Sequence, residues 1–197
     1  MQVVMSAKKL NRVNGARSRQ RGLALADLAL WVVVGGVIIA GGMMTYNFLK
    51  GSVSAGDMGE KTALMVSDIQ KNWKNAGTFA SVTPAEVNKI ALVRNPLKYD
   101  GTNLVDAWGN TMTLNGGPAS FALTIGGSTV PMQQDDCATV VQRIAQMAAS
   151  VRVGADAAAA AGAISGGTVY KSGATITQAG LTDGCSVTNP IIAAQFR

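Results

Sequence analysis

The chain has 197 residues, 48% of them hydrophobic and 14% charged, enough for one globular domain with a further segment attached. It is too apolar for a disordered chain, and too poor in charge for a long solvated coiled coil. No histidine is present, which excludes His-dependent acid–base catalysis, Ser-His-Asp and Cys-His nucleophiles, and any His-ligated metal. The net charge of +6 is confined to the start of the chain. Residues 1–22 carry Lys8, Lys9, Arg12, Arg17, Arg19 and Arg21 with no acid, and beyond them eleven bases balance eleven acids. A basic face for nucleic acid on the folded body is therefore not expected.

At Gly22 the basic tract gives way to residues 23–49, LALADLALWVVVGGVIIAGGMMTYNFL, in which Asp27 is the only charge. The 22 residues from 28 to 49 are uncharged, and a helix of that length spans about 30 Å, the thickness of a bilayer core. Six cations precede the run and Lys50 alone follows closely, so the positive-inside rule keeps the N-terminus in the cytoplasm and exports the rest. Three readings stand at this level. One is a secretory signal peptide with a weak small-residue cleavage site at Ala40-Gly41-Gly42. Another is an uncleaved anchor with Asp27 at the membrane interface. The third is cleavage directly after Gly22.

Arg21-Gly22, an apolar Leu23 and an acid at Asp27 resemble the type IV prepilins. That resemblance implies cleavage after Gly22 by a prepilin peptidase, leaving a mature chain with Leu23 first and Asp27 fifth. Asp27 stands where the family usually carries the longer Glu. The electrostatics can be stated independently. A carboxylate inside an apolar segment is unfavourable unless it finds a partner, and cleavage turns the neutral amide of Leu23 into an amine that is mostly protonated at neutral pH. At about 4 Å and an effective dielectric near 20, such a pair gains roughly 4 kcal/mol before desolvation. In the family this pairing is thought to dock an incoming subunit onto its neighbour.

The helix is predicted to continue to about residue 76. Met58, Thr62, Met65, Ile69, Trp73 and Ala76 form one stripe of 3.6-residue period. Asp57 and Lys61 offer an i, i+4 pair, Lys71 and Lys74 suit the last turn, and Gly77 suits the stop. A helix over 24–76 would be about 80 Å long. Its glycines at 35, 36, 41 and 42 mark either local unwinding, as the pilin resemblance implies, or close packing between helices.

Thr83-Pro84-Ala85-Glu86 is a capping box with Pro at the first helical position, predicting a helix from Pro84 to about Val93 with Val87, Ile90 and Ala91 inward. Short β-type runs at 103–107, 111–114, 120–125 and 129–132, separated by glycine turns, read as an antiparallel meander. Asp106-Ala107-Trp108-Gly109-Asn110 resembles a D-x-W-G-N segment of pilin-like proteins and is expected to open a hairpin. Asp135 and Asp136 start an amphipathic helix running to about Ser150, and helix initiation outweighs a metal or catalytic role for the pair. The alanine-rich tract 154–163 reads equally as helix or surface loop. Residues 168–171 and 174–178 suggest another hairpin, and 191–196 a closing strand.

Cys137 and Cys185 are the two cysteines, and in an exported chain an even pair reads as a disulfide. In pilins the C-terminal Cys pair brackets a variable, surface-exposed D-region, here 137–185. The leader length, the non-Phe Leu23 and the size of that region resemble type IVb pilins, and among them the PilS-type pilins of thin conjugative pili. The expected fold class is α+β: a long N-terminal helix packed on an antiparallel sheet. The expected organisation is a leader at 1–22, an apolar assembly helix at 23–50 and a globular head at 51–197. The resemblance implies a subunit placed first in the bacterial inner membrane and then in an extracellular pilus. Its partners would be further copies of itself, the peptidase and assembly machinery, and a receptor or recipient cell. Alternatives are an uncleaved single-pass periplasmic binding protein, or a minor pilin or pseudopilin of a secretion system. No Walker, GxSxG or CxxC motif appears, and neither a cofactor nor an enzymatic activity is expected.

Overall fold

The computed structural model describes Leu30, residues 32–34 and residues 55–197. The chain divides into two units, Met1–Asn47 and Phe48–Arg197. In the first, Leu30, Val32, Val33 and Val34 are helical and exposed. Among the described residues no helix is long and apolar enough to cross a membrane. Apart from those four residues, the apolar run at 23–50 falls outside the description.

The second unit begins with helix α1, described over 55–74. The expected stripe is its inner face: Met58, Thr62, Met65 and Ile69 are fully buried. Trp73 is half-buried and donates its indole N–H to Ser81 Oγ at 2.8 Å. The helix ends two residues earlier than predicted, which leaves Ala76 exposed. Gly77, at φ +72°, takes the left-handed position expected of a stop. Lys61 pairs with Glu60 at 3.1 Å rather than with the expected Asp57, the longer acid reaching it.

Helix α2, Pro84–Lys89, is capped as its sequence requires, with Thr83 Oγ1 accepting from the Glu86 amide at 3.3 Å. Only half of the capping box forms, because the Glu86 carboxylate turns to Lys89 at 2.6 Å. The helix stops four residues short of the predicted Val93. Amides of Ala91 and Leu92 bond back to Asn88 and Val87, an arrangement of Schellman type with Ala91 at φ +56°. Buried Leu92 then joins Val87 in the core, while Ile90 is left exposed.

The strands are all antiparallel. A three-stranded sheet orders β1 (Lys98–Tyr99), β2 (Leu104–Val105) and β3 (Thr111–Met112). A six-stranded sheet contains β4 (Leu114–Gly116), β5 (Phe121–Gly126), β6 (Ser150–Gly154), β9 (Thr168–Ser172), β10 (Thr175–Ile176) and β11 (Ile191–Phe196). Its order, β10-β9-β6-β11-β5-β4, departs from a meander: the last strand inserts between β5 and β6. The sheet's two faces differ in residue size. Phe121, Leu123, Ile125, Ile192 and Phe196 join the α1 stripe in one buried cluster, with Phe121 5.2 Å from both Phe79 and Phe196 between ring centroids. Ala122, Thr124, Ala193 and Gln195 alternate with them and face the other way.

That second face is covered by a hairpin of β7 (Ala158–Ala160) and β8 (Ala163–Ser165), which resolves the alanine tract as strand. Ala161 and Gly162, both at positive φ, form its two-residue turn. Alanine favours helix, but hydrogen bonds from outside the tract prevail. Asn115 donates to the Ala159 carbonyl, and Ser120 and Gln195 donate to that of Gly162.

Helix α3, Gln134–Ala145, starts on Asp135 and Asp136 as predicted but ends before Ser150, which pairs with Gln195 in β6. Residues 129–132 are not a strand; they form the approach to α3. The expected hairpin at 168–178 forms as β9–β10, but Gln178 opens helix α4, Gln178–Cys185, which the sequence reading missed. Its glycines permit contact with the sheet: a Cβ on Gly180 would lie 2.1 Å from the Val169 carbonyl oxygen. The α+β class stands.

Candidate functional site

Of the residues singled out for processing, assembly and helix flexibility, Gly22, Leu23, Asp27, Gly35, Gly36, Gly41 and Gly42 all lie outside the described residues. Cys137 and Cys185 are bonded to each other, with Cα atoms 5.7 Å apart, tying the start of α3 to the end of α4. The bracketed region is more than a surface loop. It contains β6, β9 and β10, three strands of the main sheet, as well as the covering hairpin.

The most heavily hydrogen-bonded polar side chains lie in the loop joining β2 to β3. Asp106 is 2% exposed, and its Oδ1 accepts from the amides of Trp108 at 2.9 Å and Asn110 at 2.8 Å, an Asx turn closed on itself. Oδ2 accepts from the Gly126 amide at 3.0 Å and from Asn110 Nδ2 at 3.2 Å. Asn110 then clamps the next loop, donating to the Val130 carbonyl at 2.9 Å and accepting from its amide at 3.0 Å. Burial raises the Asp106 pKa, opposed by donors from Asn110, Gly126 and Trp108. Asp136 is also buried, and burial followed by the neighbouring Asp135 charge raises its pKa, with a hydrogen bond from Trp108 acting against them.

This knot shapes an open cleft of about 360 Å³. Thr111, Thr113 and Thr124 form one side, the clamped loop brings Ser128 and Thr129, and Ala157, Ala158, Ala159 and Ile191 complete it. Thr113 and Thr124 spend their hydroxyls on each other at 2.7 Å. No charged side chain lines the cleft. Among the described residues no three His, Cys, Asp or Glu side chains cluster as a metal site would.

No protein-family model and no curated protein matches the chain. Among solved structures it is similar to the crystal structure of TcpA, a type IV pilin from Vibrio cholerae El Tor biotype. The identity is 15% and the TM-score 0.48, over 75% of this chain and 99% of that one.

The sequence held part of the site in view. Asp and Asn four residues apart around Trp-Gly announce a turn. Gly126 and Val130, each twenty residues from the side chain that binds it, carry no such signal. The alanines of the cleft wall were legible only as composition.

Proposed function

We propose that this chain is a structural subunit of a type IV pilus, processed after Gly22 and polymerised through the helix that begins at Leu23. One observation carries the reading: an acid-free basic tract ends at Gly22, and the apolar run after it holds a lone acid at its fifth position, Asp27. The head is consistent with that role. Its first helix, α1, buries a continuous stripe against a disulfide-tied α+β body. That leaves the apolar segment before it to pack with copies of itself in a filament.

In this reading the precursor sits in the bacterial inner membrane, and the mature subunit leaves it as part of an extracellular fibre. The Leu23 amine of one copy meets the Asp27 carboxylate of another. The non-Phe Leu23 and the 48-residue separation of the cysteines support a type IVb subunit of the PilS kind, serving adhesion, aggregation or conjugative contact. No catalytic role is assigned.

N-terminal sequencing of membrane-extracted protein from cells carrying a matching assembly system tests the reading. A start at Leu23 is expected; an intact Met1, or a start near Met43, refutes it. Asp27→Ala should still be cleaved and inserted but should form no filaments by negative-stain microscopy when expressed alone. Normal pili from that variant would remove the charge-pairing step.

A further inference from the structure

We propose that the cleft beneath the β7–β8 hairpin binds a neutral saccharide unit. Its lining mixes two chemistries. Thr111, Ser128 and Thr129 are exposed, and none of their hydroxyls is bonded to a described residue. Ala157, Ala158, Ala159 and Ile191 line the same cleft and bring no polar side chain to it. With no charged lining, a phosphate, carboxylate or ammonium ligand would lose hydration without gaining a partner. A sugar ring suits such a mixed lining, since its hydroxyls can meet the threonines and serine while its C–H face lies against the apolar residues. The volume of about 360 Å³ is at the small end of ligand sites and admits roughly one or two hexose rings.

The cleft is also preorganised. Ser128 and Thr129 sit between two anchors, the Gly126 amide on Asp106 and both backbone groups of Val130 on Asn110. The loop is therefore ordered before any ligand arrives, which removes part of the entropic penalty of binding. Thr113 and Thr124 already bond each other. Recognition thus falls to Thr111, Ser128 and Thr129. An open site contacting one ring should bind with Kd on the order of 1 mM. The property belongs to the head and does not depend on filament formation, so its failure leaves the pilus reading intact.

The test is saturation-transfer-difference NMR on the full chain in phosphocholine micelles, whose head group is not a sugar. Ligands are glucose, galactose and N-acetylglucosamine, each free and as its methyl glycoside, with glucuronate as the charged control. Transfer from at least one neutral sugar and none from glucuronate is expected. A methyl glycoside binding as well as the free sugar identifies a glycan end as the source; a preference for the free form identifies soluble sugar. The double variant Thr111→Val/Thr129→Val should bind at least tenfold more weakly, and Ala158→Trp, which fills the cleft from an exposed position, should abolish transfer. Ser128→Ala leaves both loop anchors in place and should weaken binding at unchanged melting temperature. Absence of transfer from every neutral sugar overturns the proposal. So does equal transfer from glucuronate, or signal undiminished in both Ala158→Trp and Ser128→Ala.

Discussion

Replacing Asp106 by Asn preserves its shape and removes its charge. The amide oxygen can keep the two bonds made by Oδ1, from the Trp108 and Asn110 amides. The amide nitrogen, in place of Oδ2, then meets the Gly126 N–H and Asn110 Nδ2, donor against donor. Two charge-assisted bonds of about 1.5–3 kcal/mol each come to about 3–6 kcal/mol. Relief from burying a carboxylate, whose influence is seen in the raised pKa, offsets part of this. A net loss of about 2–4 kcal/mol should lower the melting temperature by about 6–12 °C for a domain of this size. Thermal unfolding of the full chain in micelles, followed by circular dichroism, measures it. Hydrogen exchange at Gly126 and Val130 should quicken at the same time. An Asn variant melting within about 1 °C of the parent, with unchanged exchange at those amides, would refute the claim that the knot holds the loop.

Three further outcomes are expected. Replacing both Cys137 and Cys185 by Ser frees a 48-residue loop in the unfolded chain and should destabilise the head by about 4 kcal/mol in chemical denaturation. Thr62 Oγ1 is fully buried without a hydrogen-bond partner, so Thr62→Val should raise stability by about 1 kcal/mol, whereas Thr62→Ser should lower it. Because the folded pKa of Asp136 is raised, the native state binds its proton more tightly than the unfolded chain does. Its contribution to stability therefore falls as pH rises from the unfolded value of 3.8 through the folded one. Asp136→Asn should accordingly gain stability relative to the parent at pH 7 and lose that advantage at pH 3, as read from urea midpoints at each pH.

Features encoded by near neighbours were legible in the amino-acid order. The charge boundary at Gly22, the buried stripe from Met58 to Ile69, the Thr83 cap and the acids opening α3 each depend on residues within about one or two helical turns. The stripe and the acids of α3 formed as read, and of the Thr83 capping box the half made by the Thr83 hydroxyl formed. Where the reading failed, the deciding partner lay far along the chain. Ala91 ends α2 because Leu92 has a place in the core beside Val87. The alanine tract became strand because Asn115, Ser120 and Gln195 bind its carbonyls across sequence gaps of 33 to 44 residues. Helix α4 forms where two glycines can lie against β9 and β6, a fit invisible without those strands.

The cleft belongs wholly to this second group. Its hydroxyl-bearing residues come from 111–129, and its apolar ones from a hairpin some thirty residues later together with the last strand. Asp106 alone reads as a turn acid. Only when folding brings Gly126 and Val130 to the turn does it become, with Asn110, the knot that holds a loop open. Sequence by itself determined the local helices, turns and charge blocks, because their free energies are set by short-range geometry. The sheet order, the knot and the cleft were decided only by tertiary structure, because each exists through contacts whose members no periodicity links.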